Sequence, residues 1–335
     1  IDPAITVTQV GQQPTTLGVE SNAVGFVGED LSRPECVLTL PDGSLHVADW
    51  RGGVTIIAPD RGQRSVLAKG AFTPKPNGIA LHPKGGWLLA HLGDSDGGVY
   101  HLEPDGTLKP YLLEVDGTPL PPTNYVHVDA HHRVWITVST RIQPRGDDYR
   151  PTASTGFIVL KDAKGARIVA DGLGYTNECL IHPETGQLYV NETFARRSVR
   201  FDVAVSGDLS NKQTIAEYGA GTFPDGLTFD AEGGFWITSI VSNRVIRVNR
   251  EGRQELITQD CDLAFLDWVE EAFQAGTMGR PHLDDNKGKV LRNISSLAFG
   301  GSDLRTAYLG CLLGAQIGRF DAPVAGLAPS HWSFK

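Results

Sequence analysis

The chain reads as one six-bladed β-propeller, all-β except for a helical insertion between blades 5 and 6. A motif of short apolar runs recurs six times, strand-period alternation outnumbers helical spacing within those runs, and turn residues separate them. The composition agrees: 39 Gly and 20 Pro in 335 residues, with 40% hydrophobic and 21% charged residues, describe a turn-rich globular protein with enough apolar material for a full core. Propellers run to this length as one unit, so residues 1–335 are read as a single domain.

The first copy sets the pattern. Residues 35–40 form an apolar run, Pro-Asp-Gly at 41–43 turns the chain, and residues 45–49 and 53–57 supply the second and third runs. Later second runs lie at residues 87–91, 134–137, 188–191, 235–238 and 307–310, with third runs such as 98–100 and 244–248. Val, Ile, Tyr, Trp and Thr dominate them, as suits a pleated surface. Most copies are spaced roughly forty to fifty-five residues apart, the period of four-stranded blades rather than of helical solenoids. Closing the ring removes exposed sheet edges, and the early run at residues 5–10 is expected to complete the last blade. After the fifth copy come about thirty extra residues, a length that is usually functional when it sits inside a compact domain. Residues 263–273 space their apolar side chains for one helix ending near Gly276. Connections between blades lie on the face where the innermost strands begin, so residues 259–293 are expected to cover that face as a lid.

One constant offset back from the first turn of each copy falls on Glu35, Asn77, Asn124, Asn177 and Asp225; the sixth copy, aligned through residues 297–300, contributes Ser295. Each position begins an innermost strand, so the six should ring the axis at one mouth of the channel. Any single Asn-Gly or Asp-Gly pair here reads as an ordinary turn. Five acid or amide residues in one register do not. Carboxylates and amide oxygens gathered in a low-dielectric channel are costly without a positive charge among them, and one divalent cation supplies it. An all-oxygen donor set favours Ca2+, with Zn2+, Mn2+ and Mg2+ as alternatives; the ring offers no His or Cys for a nitrogen and sulfur site.

Other classes fit less well. A net charge of -9 with no Lys/Arg cluster argues against nucleic acid. Cys36, Cys179, Cys261 and Cys311 have no Cys-x-x-Cys spacing and read as buried reduced thiols. No apolar run is long enough to span a bilayer, so a soluble protein without a membrane partner is expected, cytoplasmic in the first instance and exported in the second. No Gly-x-Ser-x-Gly elbow or Ser-His-Asp set appears, which disfavours covalent catalysis. His91 and His282 are secondary candidates for a base, while His127 and His132 read as packing or turn residues.

Three segments carry a family likeness: Arg-Pro-Glu-Cys at residues 33–36, Tyr-Thr-Asn at 175–177 and Phe-Pro-Asp-Gly-Leu-Thr-Phe-Asp-Ala-Glu-Gly at 223–233. On these the chain resembles the senescence marker protein-30, gluconolactonase and luciferin-regenerating-enzyme family over nearly its whole length. The resemblance implies that Glu35, Asn177 and Asp225 are metal ligands. Pro-Pro-Thr-Asn at 121–124 resembles the family's Asn-Asp segment, which implies that Asn124 contacts metal or substrate; Pro-Asn-Gly-Ile-Ala at 76–80 resembles a further recurrent motif. Related diisopropyl-fluorophosphatase and lactonase propellers use one Glu, two Asn and one Asp. Tyr125 and Glu178 depart from the family's usual Asp and Gly, and they bear on substrate rather than on metal.

The implied activity is metal-dependent hydrolysis of a small-molecule lactone or ester. Asp225 is the expected base, because a ligand carboxylate can rest on the ion with one oxygen and take a proton with the other; Glu35 is expected to be a ligand only. Substrate contacts are expected from Asn77, Tyr125, Glu178 and the loops after the second strands, which carry Trp50, Arg51, His91, Arg141, Glu192 and Phe194. Arg141 would fix a carboxylate or hydroxyl, Trp50 and Tyr125 would stack on a ring, and Phe265, Trp268 and Met278 of the lid would add apolar wall. The alternatives are phosphotriester or fluorophosphate hydrolysis on the same cation, a non-enzymatic calcium-binding propeller, and a metal-free condensing enzyme resembling strictosidine synthase, which lacks the Glu35, Asn177 and Asp225 set.

Overall fold

The computed structural model describes residues 18–285 and 287–334. Six four-stranded antiparallel sheets form the propeller, and the first five are each ordered from the innermost strand outwards along the chain. Blade 1 runs from Val37–Thr39 to Gln63–Leu67, blade 2 from Pro76–Leu81 to Leu108–Leu112, and blade 3 from Thr123–Val128 to Gly165–Leu173. Blade 4 runs from Thr176–Ile181 to Leu209–Glu217 and blade 5 from Thr222–Phe229 to Gln254–Thr258. Blade 6 takes three strands, Ile294–Gly300, Thr306–Cys311 and Ile317–Asp321, from the end of the chain; its outer strand is Gly25–Val27, antiparallel to Ile317–Asp321. The ring is therefore closed by joining early and late chain, but through Gly25–Val27. Residues 5–10, expected in that place, lie outside the described residues.

Second strands such as Leu45–Asp49, Trp87–His91, Val134–Val138 and Phe235–Val241 are buried at every position, because both faces of each sheet pack on neighbouring blades. Outer strands such as Gln63–Leu67 are mostly exposed. Trp135 and Trp236 are wholly buried, and each donates its indole N–H at 2.9 Å to a turn carboxylate, Asp129 or Asp230. The same carboxylates accept from Arg133 and Arg247 at 2.7 Å, so neither Asp129 nor Asp230 is buried unpaired.

In blades 2 to 6 the pairing of the innermost strand with its neighbour slips at its start, between Pro76 and Ile79, Thr123 and Tyr125, Thr176 and Cys179, Pro224 and Leu227, and Ile294 and Leu297. Every ring position from Asn77 to Ser295 falls inside such a bulge. A bulge bends its strand and re-aims a side chain, and here the repeated bulge presents one residue per blade toward the mouth of the channel. The glycines that follow Asn77 and Asp225 serve close packing rather than a turn. A Cβ on Gly78 would lie 2.5 Å from a ring carbon of Tyr125, and one on Gly226 would lie 2.5 Å from the carbonyl oxygen of Ser295. Gly226→Ala is therefore expected to destabilise the protein by about 1–3 kcal/mol through forced movement of blade 6, read as a lower urea midpoint at unchanged slope.

The insertion forms helix α1, Leu263–Ala275, and a short α2, Arg280–Asp284. Asp262 caps α1 by accepting from the Phe265 amide at 2.8 Å, and Gly276 ends it in the left-handed conformation, φ 70°. Its apolar face, including Phe265, Val269 and Phe273, packs with Phe194 of blade 4 and Phe223 and Ile240 of blade 5. Arg196 clamps it with two bonds to Glu270, 2.7 and 2.9 Å, while stacking on Phe273. At the opposite mouth the C-terminal segment folds across the channel, with His331 and Trp332 bonded to the Thr39 carbonyl at 2.7 Å.

Candidate metal centre

Glu35, Asn77, Asn124, Asn177 and Asp225 line one cavity of about 170 Å³ at the mouth of the channel. Ser295, the sixth ring position, does not reach it; its hydroxyl donates to the backbone carbonyl of Glu35 at 2.8 Å and ties blade 6 to blade 1 behind the ring. Four oxygens on the other ring residues, Glu35 Oε2, Asn124 Oδ1, Asn177 Oδ1 and Asp225 Oδ1, are buried without a hydrogen-bond partner, and Glu178 Oε1 is a fifth. Carboxylate oxygens of Glu35, Glu178 and Asp225 lie within 4.8 Å of one another.

The second atoms of these groups explain their aim. Asn177 donates its amide N–H to Thr193 Oγ1 at 2.9 Å, and Thr193 is held in turn by the Pro224 carbonyl at 2.8 Å, which leaves Asn177 Oδ1 for the cavity. Asn77 differs. Its oxygen already accepts from Arg33 at 2.6 Å, and its N–H bonds the backbone carbonyl of Asn124 at 2.9 Å, so it braces the ring. Buried acceptors without donors are costly, and three carboxylates in contact more so. Oxygen donors of mixed charge and amide type match the loose, higher coordination of calcium, so the residues present fit a divalent cation.

The electrostatics follow from burial. Burial raises Glu35 to about 7, with Arg33 pulling the other way. Burial first and the Glu35 charge second hold Glu178 and Asp225 well above the ordinary carboxylate range. Without a cation these groups keep protons that a cation must displace, so affinity rises as pH rises through about 7, where Glu35 ionises. Calcium titrated by calorimetry below that pH is expected to bind more weakly and release more protons than above it; equal affinity on both sides would contradict the assignment. For the cation-free protein the sign is opposite. Glu35 ionises near 4.5 when unfolded and near 7 when folded, so its contribution to stability is full below the lower value and is lost as pH rises through the higher one.

Several side chains named from the sequence lie elsewhere. Trp50 does line the cavity, with its indole N–H on the Pro76 carbonyl at 3.0 Å and the Arg33 guanidinium 4.2 Å from its ring. Tyr125 and Glu178 occupy the position after the ring residue, where blades 2 and 5 carry Gly78 and Gly226. They face the blade interface rather than the cavity. Tyr125 packs on Gly78, and Glu178 Oε2 accepts from the Leu227 amide at 3.0 Å while its other oxygen joins the carboxylate cluster. His91 is buried outside the cavity, bonded to the Lys75 amide at 3.0 Å and to Asp96 at 2.9 Å. Arg141 pairs with Asp171 at 2.8 and 3.1 Å, at the outermost strand of its blade. Glu192 is buried in an ion pair with Arg197 at 2.6 Å. The insertion reaches the cavity through Arg280, Leu283 and Asp284; Phe265 packs into the core and Trp268 stays half exposed. Tyr175, which opens the Tyr-Thr-Asn motif, lines the cavity too, as do Arg145 and Tyr149, which sit in no repeat register and so carry no signal in the sequence.

The family description "SMP-30/Gluconolactonase/LRE-like region" matches residues 32–259. The chain belongs to that family. The SMP-30/gluconolactonase/LRE-like match ends where the insertion begins, so α1, α2 and blade 6 lie beyond the matched segment. A 6-deoxy-6-sulfogluconolactonase of Pseudomonas putida is 26% identical over 235 residues, 69% of this chain and 67% of that one. Two solved structures share the fold at 16% identity. One is a gluconolactonase from Xanthomonas campestris, with 90% of this chain and 89% of that one covered and a TM-score of 0.65. The other is regucalcin, a calcium-binding protein from Agrobacterium tumefaciens, with 91% and 96% covered and a TM-score of 0.64.

Proposed function

We propose that the chain is a metal-dependent lactonase that opens a cyclic ester with water. The observation that carries this is the convergence of unpartnered oxygens from Glu35, Asn124, Asn177 and Asp225 at the floor of one cavity. A calcium ion bound by these four residues would supply Lewis-acid polarisation of the lactone carbonyl. Asp225 takes a proton from the attacking water as its oxygen bonds to the carbonyl carbon. The ring C–O bond then breaks and the proton passes to the departing ring oxygen, leaving a hydroxy acid. Glu35 is a ligand only. Glu178 stands behind it as a third carboxylate that strengthens the hold on a doubly charged ion. Above the ring, Tyr149, Tyr175, Phe194 and Ile240 supply apolar walls that exclude other water, and Trp50 offers a face on which a sugar ring can stack.

A panel of gluconolactone, simple aliphatic lactones and aryl phosphotriesters, assayed with and without chelator, tests the reading. Lactone turnover is expected to disappear on chelation and return with calcium. Turnover that survives complete chelation, or that appears with the triesters alone, would overturn it.

A further inference from the structure

We propose that the substrate carries a second, anionic group away from its reacting ester, a carboxylate, sulfonate or phosphate, and that Arg145 with Arg33 and Arg280 binds it. This rests on the lactonase reading of the same site and names its substrate class. The cavity above the ring opens into a vestibule of about 810 Å³, and Trp50, Arg145 and Arg280 line both. On those walls outside the ring, cationic side chains outnumber acids five to three, in a chain whose net charge is -9. The excess is concentrated where a substrate must pass.

The three arginines differ in how they are held. Arg33 is fixed between Asn77 and the face of Trp50. Arg280, half exposed, pairs with Asp284 at 2.7 Å on its own helix. Lys75 on the same wall is matched by Asp94 at 3.1 Å. Arg145 forms no ion pair and no side-chain hydrogen bond among the described residues, and it lines the same cavity as Arg33 and Arg280. Arg33 already faces Glu35 and Arg280 already has Asp284, so Arg145 is the guanidinium of the three that is left without an acid, and an incoming anion would find it uncompensated beside two further cations. The planar guanidinium fork suits a carboxylate, sulfonate or phosphate through paired hydrogen bonds, and a neutral sugar lactone would use none of this charge. Charge-assisted bonds of this kind correspond to about tenfold or more in affinity each.

The test compares gluconolactone with two anionic counterparts, a glucarate monolactone and phosphogluconolactone. Its readouts are kcat/KM and, independently, calorimetric dissociation constants of the ring-opened acids gluconate and glucarate. The wild type is expected to favour the anionic lactones by about tenfold or more at low salt, and to lose the preference when salt shortens the screening length to a few Å. Arg145→Gln is expected to bring the anionic-to-neutral ratio close to one and to remove the glucarate advantage in binding. Arg280→Gln is expected to shift both in the same direction, which keeps the test decisive if one variant folds poorly. If all three lactones are turned over with ratios that neither arginine variant moves, the anion subsite is wrong and the lactonase reading stands. If no lactone is turned over but glucarate binding still depends on Arg145, the lactonase reading falls and the subsite stands.

Discussion

Asp225→Asn is expected to slow lactone hydrolysis by about a hundred- to ten-thousand-fold, the range associated with loss of a positioned general base. Asp225 is 4% exposed, sits in the bulge that opens blade 5, and presents Oδ1 without a partner beside Glu35 and Glu178. Asparagine keeps the shape and one oxygen, but neither the charge nor the capacity to take a proton from water. Calcium should bind more weakly and still saturate, so kcat is to be measured at saturating calcium with the metal content determined by elemental analysis. An unchanged kcat with metal in place would leave Asp225 as a ligand alone. The same variant carries a less obvious expectation. In cation-free protein three buried carboxyl groups crowd within 4.8 Å, so above about pH 7, where Glu35 ionises, an amide that cannot ionise in place of one of them should raise the melting temperature of the chelated variant above that of the chelated wild type. Loss of activity joined to gain of stability separates a functional carboxylate from a structural one.

The second large effect concerns the cation. Calcium at a free concentration a hundredfold above its dissociation constant should stabilise the folded state by about 2.7 kcal/mol, and chelation should remove that together with turnover. Glu35→Gln is expected to need far more calcium for the same shift, because burial leaves Glu35 little besides Arg33 to balance its charge. Magnesium should substitute poorly, since mixed carboxylate and amide oxygens brought in from four different blades do not meet its tight octahedral demand. Melting curves recorded against calcium and magnesium decide this without any substrate. A melting temperature indifferent to both ions would mean that the unpartnered oxygens serve something else.

The candidate site was legible in the chain to the extent that it repeats. Glu35, Asn77, Asn124, Asn177 and Asp225 share one register, and blade symmetry carries a shared register to a shared radius and height. The same register names Ser295, but a hydroxyl on a short side chain finds the backbone of Glu35 before it reaches the cavity. Asn77 belongs to the register and reaches the cavity, yet Arg33 takes up its oxygen, a contact between residues 44 apart in the chain. Gly78 and Gly226 look like turn residues in sequence and prove to be sites of close approach between blades, which no local pattern distinguishes.

Strand content, the number of blades, the place of the helix in the insertion and the ring of oxygen donors are all written locally, as periods and offsets along the chain, and a repeat turns local pattern into global position. Closure of the ring by Gly25–Val27, the turn of Glu178 toward the carboxylates, the withdrawal of His91 and Arg141, and the arrival of Arg145 and Arg280 over the cavity have no such register. They depend on which partner each loop meets after the blades have packed, and loops joined by contacts distant in sequence acquire their positions only when the whole ring is formed.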